Sequence, residues 1–400
     1  MKLKQYDAYT PYAYLEGDPA YRVFTPTPQL GRAPSYIIDV TPDEEARVHR
    51  LLGANITVSL HDHPIARPID LNDYFDYRKQ GRDVTAYAGL SVAQLDAVFD
   101  NLMDGNAVIT SSRGWKWHDV LYDLGMRLAD IAHQSMLFLA TTAQDIQVAK
   151  ETGRIAWFPA LEAATPIENE LDRLDVLYGF GIRCIGVAYT ESNSLGAGLR
   201  EPRDGGLTVF GRQAVQRMNR LGMLVDVSHV GDQTALDTVE VSESPVIITH
   251  AGARALWPSR RMKPDEVIRA CAQSGGMIGL EAAPHTTITD RHPYHNIDSV
   301  MEHFEYCVNL VGIEHVGFGP DTMFADHAGS HRVFASVMSK DASFAGKDHP
   351  TVPYVAGLEN PAENFLNITR WLVKHGYSDD DISLVLGKNA MRVLSQVLKS

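Results

Sequence analysis

From residue 51 onward the chain alternates short runs rich in Val, Ile and aromatic residues with longer segments whose apolar positions recur at helical spacing. Eight runs carry the strand pattern: NITVSLH (55–61), NAVITSS (106–112), RIAWFPALE (154–162), CIGVAYT (184–190), MLVDVSH (223–229), PVIITH (245–250), GMIGLEA (276–282) and HVGFGPD (315–321). Helical period marks SVAQLDAVFDNLMD (91–104), WHDVLYDLGMRLADIAHQS (117–135), ENELDRLDVLYGFG (168–181), GRQAVQRMNRLG (211–222), KPDEVIRACAQSG (263–275) and SVMEHFEYCVNLVG (299–312). Several of these end at Gly, as helices commonly do. Strands that alternate with helices predict βα units and a parallel sheet. Eight units in one chain predict a (β/α)8 TIM barrel with insertions and an N-terminal extension, rather than an open doubly wound sheet. No GxGxxG follows the first strand, which weighs against a dinucleotide fold. Residues 1–50 fall outside the alternation and read as an extension or small cap, and residues 51–400 as the barrel domain. The segment from Lys340 to Phe365 reads as a long loop before a final helical region.

Composition changes this picture little. The 400 residues are 44% hydrophobic and 22% charged, as expected of a globular chain able to bury a large core. A formal net charge of -14 and the lack of any Lys/Arg run disfavour nucleic acid as a partner. Three dispersed cysteines, Cys184, Cys271 and Cys307, suggest neither a disulfide framework nor a thiolate zinc site. The N-terminal stretch lacks the apolar core of a signal peptide, the C-terminus lacks a lipid-anchor tail, and no 18-residue apolar run occurs. The expectation is a cytoplasmic protein that acts on a small molecule, without membrane contact. Residues 1–50, rich in Tyr and Pro, are candidates for covering a second copy in a homodimer or higher homo-oligomer.

In a TIM barrel the C-terminal strand ends face the active site. Those ends carry His61 and His63, Ser111 and Ser112, Glu162, Tyr189, His229, His250, Glu281 and Asp321. His61 and His63, two residues apart on a strand, project to one face, while Asp62 between them points to the other. Imidazoles and carboxylates at one barrel mouth suit Zn2+ or a similar first-row divalent ion. Any one of these residues alone reads as a structural histidine, a cap or a salt-bridge partner; their joint placement is what points to metal. His285, His292, His295, His327 and His331 lack that placement and read as surface or loop residues.

The stretch DVSHV, followed about twenty residues later by ITHAGAR, resembles the renal-type (membrane) dipeptidase family of zinc peptidases, within the amidohydrolase-like metal barrels. The resemblance continues through GLTVFGRQAVQRMNRLGMLVDVSHV, SRRMKPDEV, VGFGPD and the closing GLENPAENFLNITRWLVKHGYSDDDISLVLGKNAMRVL, and covers most of residues 51–395. It implies two divalent metal ions, most simply Zn2+, with His61 and His63 on the first, His229 and His250 on the second and Glu162 bridging both. It implies further that Asp321 is the catalytic acid/base and that Arg261 grips the substrate's terminal carboxylate, a task its planar fork suits. Two departures stand out: His63 occupies the place of an aspartate, and Tyr189 that of a substrate-contacting histidine. A neutral imidazole for a carboxylate leaves the metal site one unit more positive, and a phenol can donate a hydrogen bond but cannot be cationic.

The resemblance therefore implies hydrolysis of a dipeptide, or of another small carboxylated amide, by a hydroxide held between the two metals, with Tyr189 helping to stabilise the oxyanion. Two alternatives stay open: an amidohydrolase acting on N-acyl amino acids, lactams or another non-peptide small molecule, and a protein that binds metal and ligand without catalysis.

Overall fold

The computed structural model describes residues 4–102, 116–334 and 349–399. Eight parallel strands run in chain order around a barrel: β1 Val58–Asp62, β2 Ala97–Asn101, β3 Ile155–Leu161, β4 Cys184–Gly186, β5 Leu224–Asp226, β6 Val246–Ala251, β7 Ile278–Leu280 and β8 Val316–Phe318. Beyond β8 the backbone closes the ring onto the end of β1. Asp321 N donates to His61 O at 3.0 Å, and His63 N to Thr322 O at 3.0 Å. Every residue of these strands is buried. Helices cover the outside and side chains fill the inside, so the strands read as apolar runs without polar alternation.

Alternation still sorts the two faces. Val58, Leu60, Ala97, Phe99, Ala156, Phe158, Leu224, Ile247 and Met277 pack in one cluster inside the barrel. Ala390, Val393 and Leu394 of the helix Asn389–Val397 join it and plug the end opposite the site. Val98, Trp157, Ile185, Val225 and Ile248 belong to the other cluster, against the surrounding helices. Two one-residue irregularities interrupt this order. Ser59 pairs with Val98 and Asp62 with Asp100, which gives β1 one extra residue; Ile248 pairs with Ile278 and Ala251 with Leu280, which gives β6 one extra residue. Strict alternation from Leu60 and Ile247 would send His61 and His250 toward the helices, and the bulges re-aim both into the barrel mouth.

Two glycines let the strand ends approach. A Cβ on Gly186 would lie 1.9 Å from the carbonyl oxygen of Glu162, and one on Gly319 would lie 2.1 Å from that of Thr249. No other residue fits at either place.

The second strand departs from the sequence reading. It is Ala97–Asn101, inside the segment 91–104 expected to be helical, where a short helix Tyr87–Val92 ends and Gln94 takes a positive φ of 61° before the strand begins. The run 106–112, with Ser111 and Ser112, lies outside the described residues. A further short strand, Leu137–Leu139, pairs with Ile155–Trp157 along the edge that Cys184–Ile185 uses farther up β3. The remaining seven expected strands are present, and those from β3 to β8 are followed in turn by helices at Asp172–Gly179, Val209–Leu221, Asp232–Val241, Asp265–Gln273, Ile297–Val311 and His327–Phe334, while the helix Ala143–Thr152 follows the short strand Leu137–Leu139.

The N-terminal residues wrap the barrel and end beside the C-terminal helices. Lys4 pairs with Asp96 at 2.7 Å, Arg32 with Glu359, and Ile38 N donates to Asn367 Oδ1 at 3.2 Å. The helix Pro42–Ala54, opened by a Thr41/Glu44 capping box, then lies on Asn364–Lys374, with Glu45 clamped by Arg370 at 2.6 and 2.8 Å. Among the described residues no helix is long and apolar enough to cross a membrane.

Candidate metal centre at the barrel mouth

His61, His63, Glu162, His229, His250 and Asp321 converge at the C-terminal ends of β1, β3, β5, β6 and β8. Their ligand atoms form three overlapping groups: His61 with His63 and Glu162, Glu162 with His229 and His250, and His61 with His250 and Asp321. Glu162 spans the first two. Its Oε1 lies 3.0 Å from His63 Nε2 and 3.6 Å from His61 Nε2, while its Oε2 lies 3.6 Å from His229 Nε2. Asp321 Oδ1 faces the same two imidazoles from above, 3.5 Å from His61 and 3.3 Å from His63. Asp321 holds a left-handed φ of 55°, a conformation Asp tolerates better than most residues, directly after the hydrogen bond that joins β8 to β1. Asp62 turns away from the site and accepts from Ser59 Oγ at 2.5 Å and Thr322 N at 2.8 Å.

Neighbouring groups fix the imidazoles. His63 Nδ1 lies 3.0 Å from the carbonyl of Asn101. A carbonyl can only accept, so Nδ1 carries a proton, and Nε2 is the atom that faces the carboxylates. The Asn101 side-chain amide lies 2.8 Å from His61 Nδ1, so one residue of β2 orients both rings. His250 is set by a relay. Thr249 Oγ1 donates to Asp226 Oδ2 at 2.8 Å, which leaves it to accept from His250 Nδ1 at 2.8 Å. Such outer partners usually set ring orientation and basicity at metal sites. His229 is stacked against Tyr189, with ring centroids 4.0 Å apart.

The donor set fits divalent cations. His61 Nε2 and Glu162 Oε2 are buried and have no hydrogen-bond partner among the described residues, which is costly unless something else satisfies them, and the Nε2 atoms of His229 and His250 face each other at 2.9 Å. Burial, with Arg261 and His61 nearby, drives the pKa values of His229 and His250 well below the usual range, which keeps both rings neutral, as ligands must be. At His61 and His63 burial also acts downward, but Asp321 and Glu162 outweigh it, raising His61 to about 9 and His63 well above its usual value. Against the opposing effect of burial, the same contacts hold Asp321 well below the carboxylate range. Glu162 and Asp321 thus favour positive charge at the point they face.

Arg261 stands beside this cluster, with Nη1 donating to the carbonyl of His250 at 3.0 Å and Nη2 paired with Glu281. Tyr189 is half-buried at the end of β4. Every candidate metal, catalytic and substrate-binding residue from the sequence therefore lies at the mouth; the strand-end serines Ser111 and Ser112 lie outside the described residues. Asn101, Thr249 and Asp226 escaped that reading, and Glu281, noted only as a strand-end acid, turns out to be the partner of Arg261.

Two histidines read as surface or loop residues are instead buried, His295 to 1% exposure and His327 to 3%. The loop after β7 folds back so that His295 Nδ1 accepts from His285 N at 3.0 Å, and its Nε2 lies 2.8 Å from Thr287 Oγ1. His327 opens the helix His327–Phe334, where its ring lies 4.4 Å from that of His331, one turn on.

The sequence model of the membrane dipeptidase family (peptidase family M19) matches residues 48–330. A curated relative, the dipeptidase tcpJ of Claviceps purpurea, is 28% identical over 69% of this chain and 58% of its own length. The match to the dipeptidase aclJ of Aspergillus oryzae, at 29% identity, takes in 61% of this chain and 52% of that protein. The chain thus spans a little over half the length of these curated relatives. Among solved structures, an amidohydrolase from Pseudomonas aeruginosa superposes with a TM-score of 0.70 over 88% of this chain and 99% of that one, at 24% identity.

Proposed function

Because the chain belongs to the membrane dipeptidase family, peptidase family M19, we propose that it hydrolyses dipeptides, or similar small amides with a free carboxylate, using divalent metal at the barrel mouth. The observation that carries this reading is the span of Glu162, whose two oxygens face different imidazoles, His61 and His63 on one side and His229 on the other. His61, His63 and Glu162 would hold one ion and Glu162, His229 and His250 a second; bound there, Zn2+ would polarise the scissile carbonyl and acidify a water.

The chain's own side chains supply the rest. Asp321, kept ionised by its two imidazole neighbours, takes the proton of the attacking water and delivers it to the departing amine. Tyr189, beside His229, donates its hydroxyl hydrogen toward the developing oxyanion. Arg261 has five N–H groups, of which the carbonyl of His250 and the carboxylate of Glu281 take two, and the others receive the substrate carboxylate.

Treatment with a chelator should abolish hydrolysis of a dipeptide panel, and added Zn2+ should restore it in step with bound metal. Turnover indifferent to metal would sink the reading. Hydrolysis of N-acyl amino acids or lactams is a second reading, favoured by Tyr189, whose phenol cannot carry positive charge; the same panel, extended to those substrates, separates the two.

The arginine has its own test. Arg261→Ala would leave Glu281 buried against no cation, a loss of stability in its own right, so Arg261→Lys is the cleaner change. It keeps the charge and loses the fork. KM for a dipeptide should rise about tenfold, the order of one charge-assisted hydrogen bond, while KM for the C-terminal amide of the same dipeptide should hardly move.

A further inference from the structure

We propose that Glu281 is the positioning residue for Arg261: it fixes the guanidinium so that the N–H groups not held by protein face the substrate carboxylate, and it thereby sets the preference for carboxylated substrates. The inference rests on the reading of Arg261 given above and adds to it a residue to which the expected metal and catalytic roles give no part.

The argument starts from where Arg261 is attached. Its backbone lies in the loop between β6 and the helix Asp265–Gln273, and its long side chain must reach back over the barrel mouth. A free arginine there would sample many rotamers, and ordering it on binding costs entropy. Two contacts from two neighbouring strand ends remove that freedom. The carbonyl of His250, in β6, takes Nη1 at 3.0 Å, and the carboxylate of Glu281, just past β7, takes Nη2. A planar group held at both terminal nitrogens has its plane fixed.

Glu281 is itself rigidly mounted. It is fully buried, its N–H donates to Ala251 O at 3.1 Å, and its carbonyl accepts from Thr287 Oγ1 at 2.9 Å. Its second carboxylate oxygen, Oε1, has no hydrogen-bond partner among the described residues. A carboxylate so placed is poorly explained by stability, because a buried ion pair seldom repays its desolvation. Burial opposes the charge on Glu281, and Arg261 beside it acts the other way. Aiming Arg261 at the mouth is a reason to keep it there.

The test uses Glu281→Gln, which keeps an oxygen for Nη2 without the charge, and Glu281→Met, which has similar length and no acceptor. Steady-state kinetics are measured on a dipeptide and on its C-terminal amide, with metal content and melting temperature followed on the same preparations. For the dipeptide KM should rise severalfold in Glu281→Gln and about tenfold or more in Glu281→Met, a loss on the order of one charge-assisted hydrogen bond. With kcat within about twofold of the parent and KM for the amide unchanged, the ratio of the two KM values collapses. Unchanged or lower KM for the dipeptide in both variants overturns the proposal, as does an equal loss on acid and amide. Should the parent enzyme itself fail to discriminate acid from amide, the reading of Arg261 fails first and Glu281 with it. A parent that discriminates beside variants that discriminate equally well refutes the role of Glu281 alone.

Discussion

Glu162→Gln should lower bound metal from its parent level and reduce kcat/KM for a dipeptide by roughly a thousandfold or more. Several kcal/mol of charge stabilisation depend on metal in such sites, and each 1.36 kcal/mol is a factor of about ten. The change is nearly isosteric, so packing around β3 is preserved. What is lost is a carboxylate whose oxygens reach both His63 and His229. Metal analysis beside kinetics decides the matter: full metal occupancy with parental activity in the Gln variant would mean that Glu162 joins nothing.

The second large effect belongs to Asp321. Asp321→Asn should lower kcat by about a hundredfold to ten-thousandfold, the range of general acid–base contributions, with KM and metal content close to those of the parent. Asn accepts the left-handed backbone that Asp321 adopts, so the loop after β8 should survive the change. Loss of metal together with activity would give Asp321 a different part. Its Oδ1 and the nitrogens of His61 and His250 are close enough to hold an ion among them, and the residue would then be a ligand.

The barrel was legible because most of its strands end on residues with chemistry. VDVSH, VIITH and GFGPD each read as an apolar run followed by a His or Asp, and each occupies the expected place. The second strand was not legible. AVFDN sits in a stretch whose Val, Leu and Ala positions suit a helix equally well, and no Gly or Pro marks the change at Gln94. At the site the primary residues could be read one strand at a time, whereas Asn101 could not. Its role depends on β2 lying beside β1 in a particular register, so that one residue meets the Nδ1 atoms of both His61 and His63. The pairing of Arg261 with Glu281 is hidden for the same reason, since it joins positions 20 residues apart, one in the loop after β6 and one just past β7. The bulges in β1 and β6 leave no mark in composition at all. VSLHD and VIITHA are buried throughout, so hydrophobicity alone cannot reveal which histidine faces inward.

The hydrogen bonds that close the barrel also set a clock. Asp62 and Thr322, which seal β1 to the segment after β8, are 260 residues apart in the chain. At about 5–20 residues per second of synthesis, the ribosome needs about 13 to 50 seconds to make the second half of that seam after the first. Through that interval His61 and His63 exist without Asp321, Glu162 exists without His229 for part of it, and no fragment that ends before residue 321 can close the ring. The barrel mouth can therefore be assembled only once Asp321 and Thr322 have left the ribosome, near the end of translation or after it.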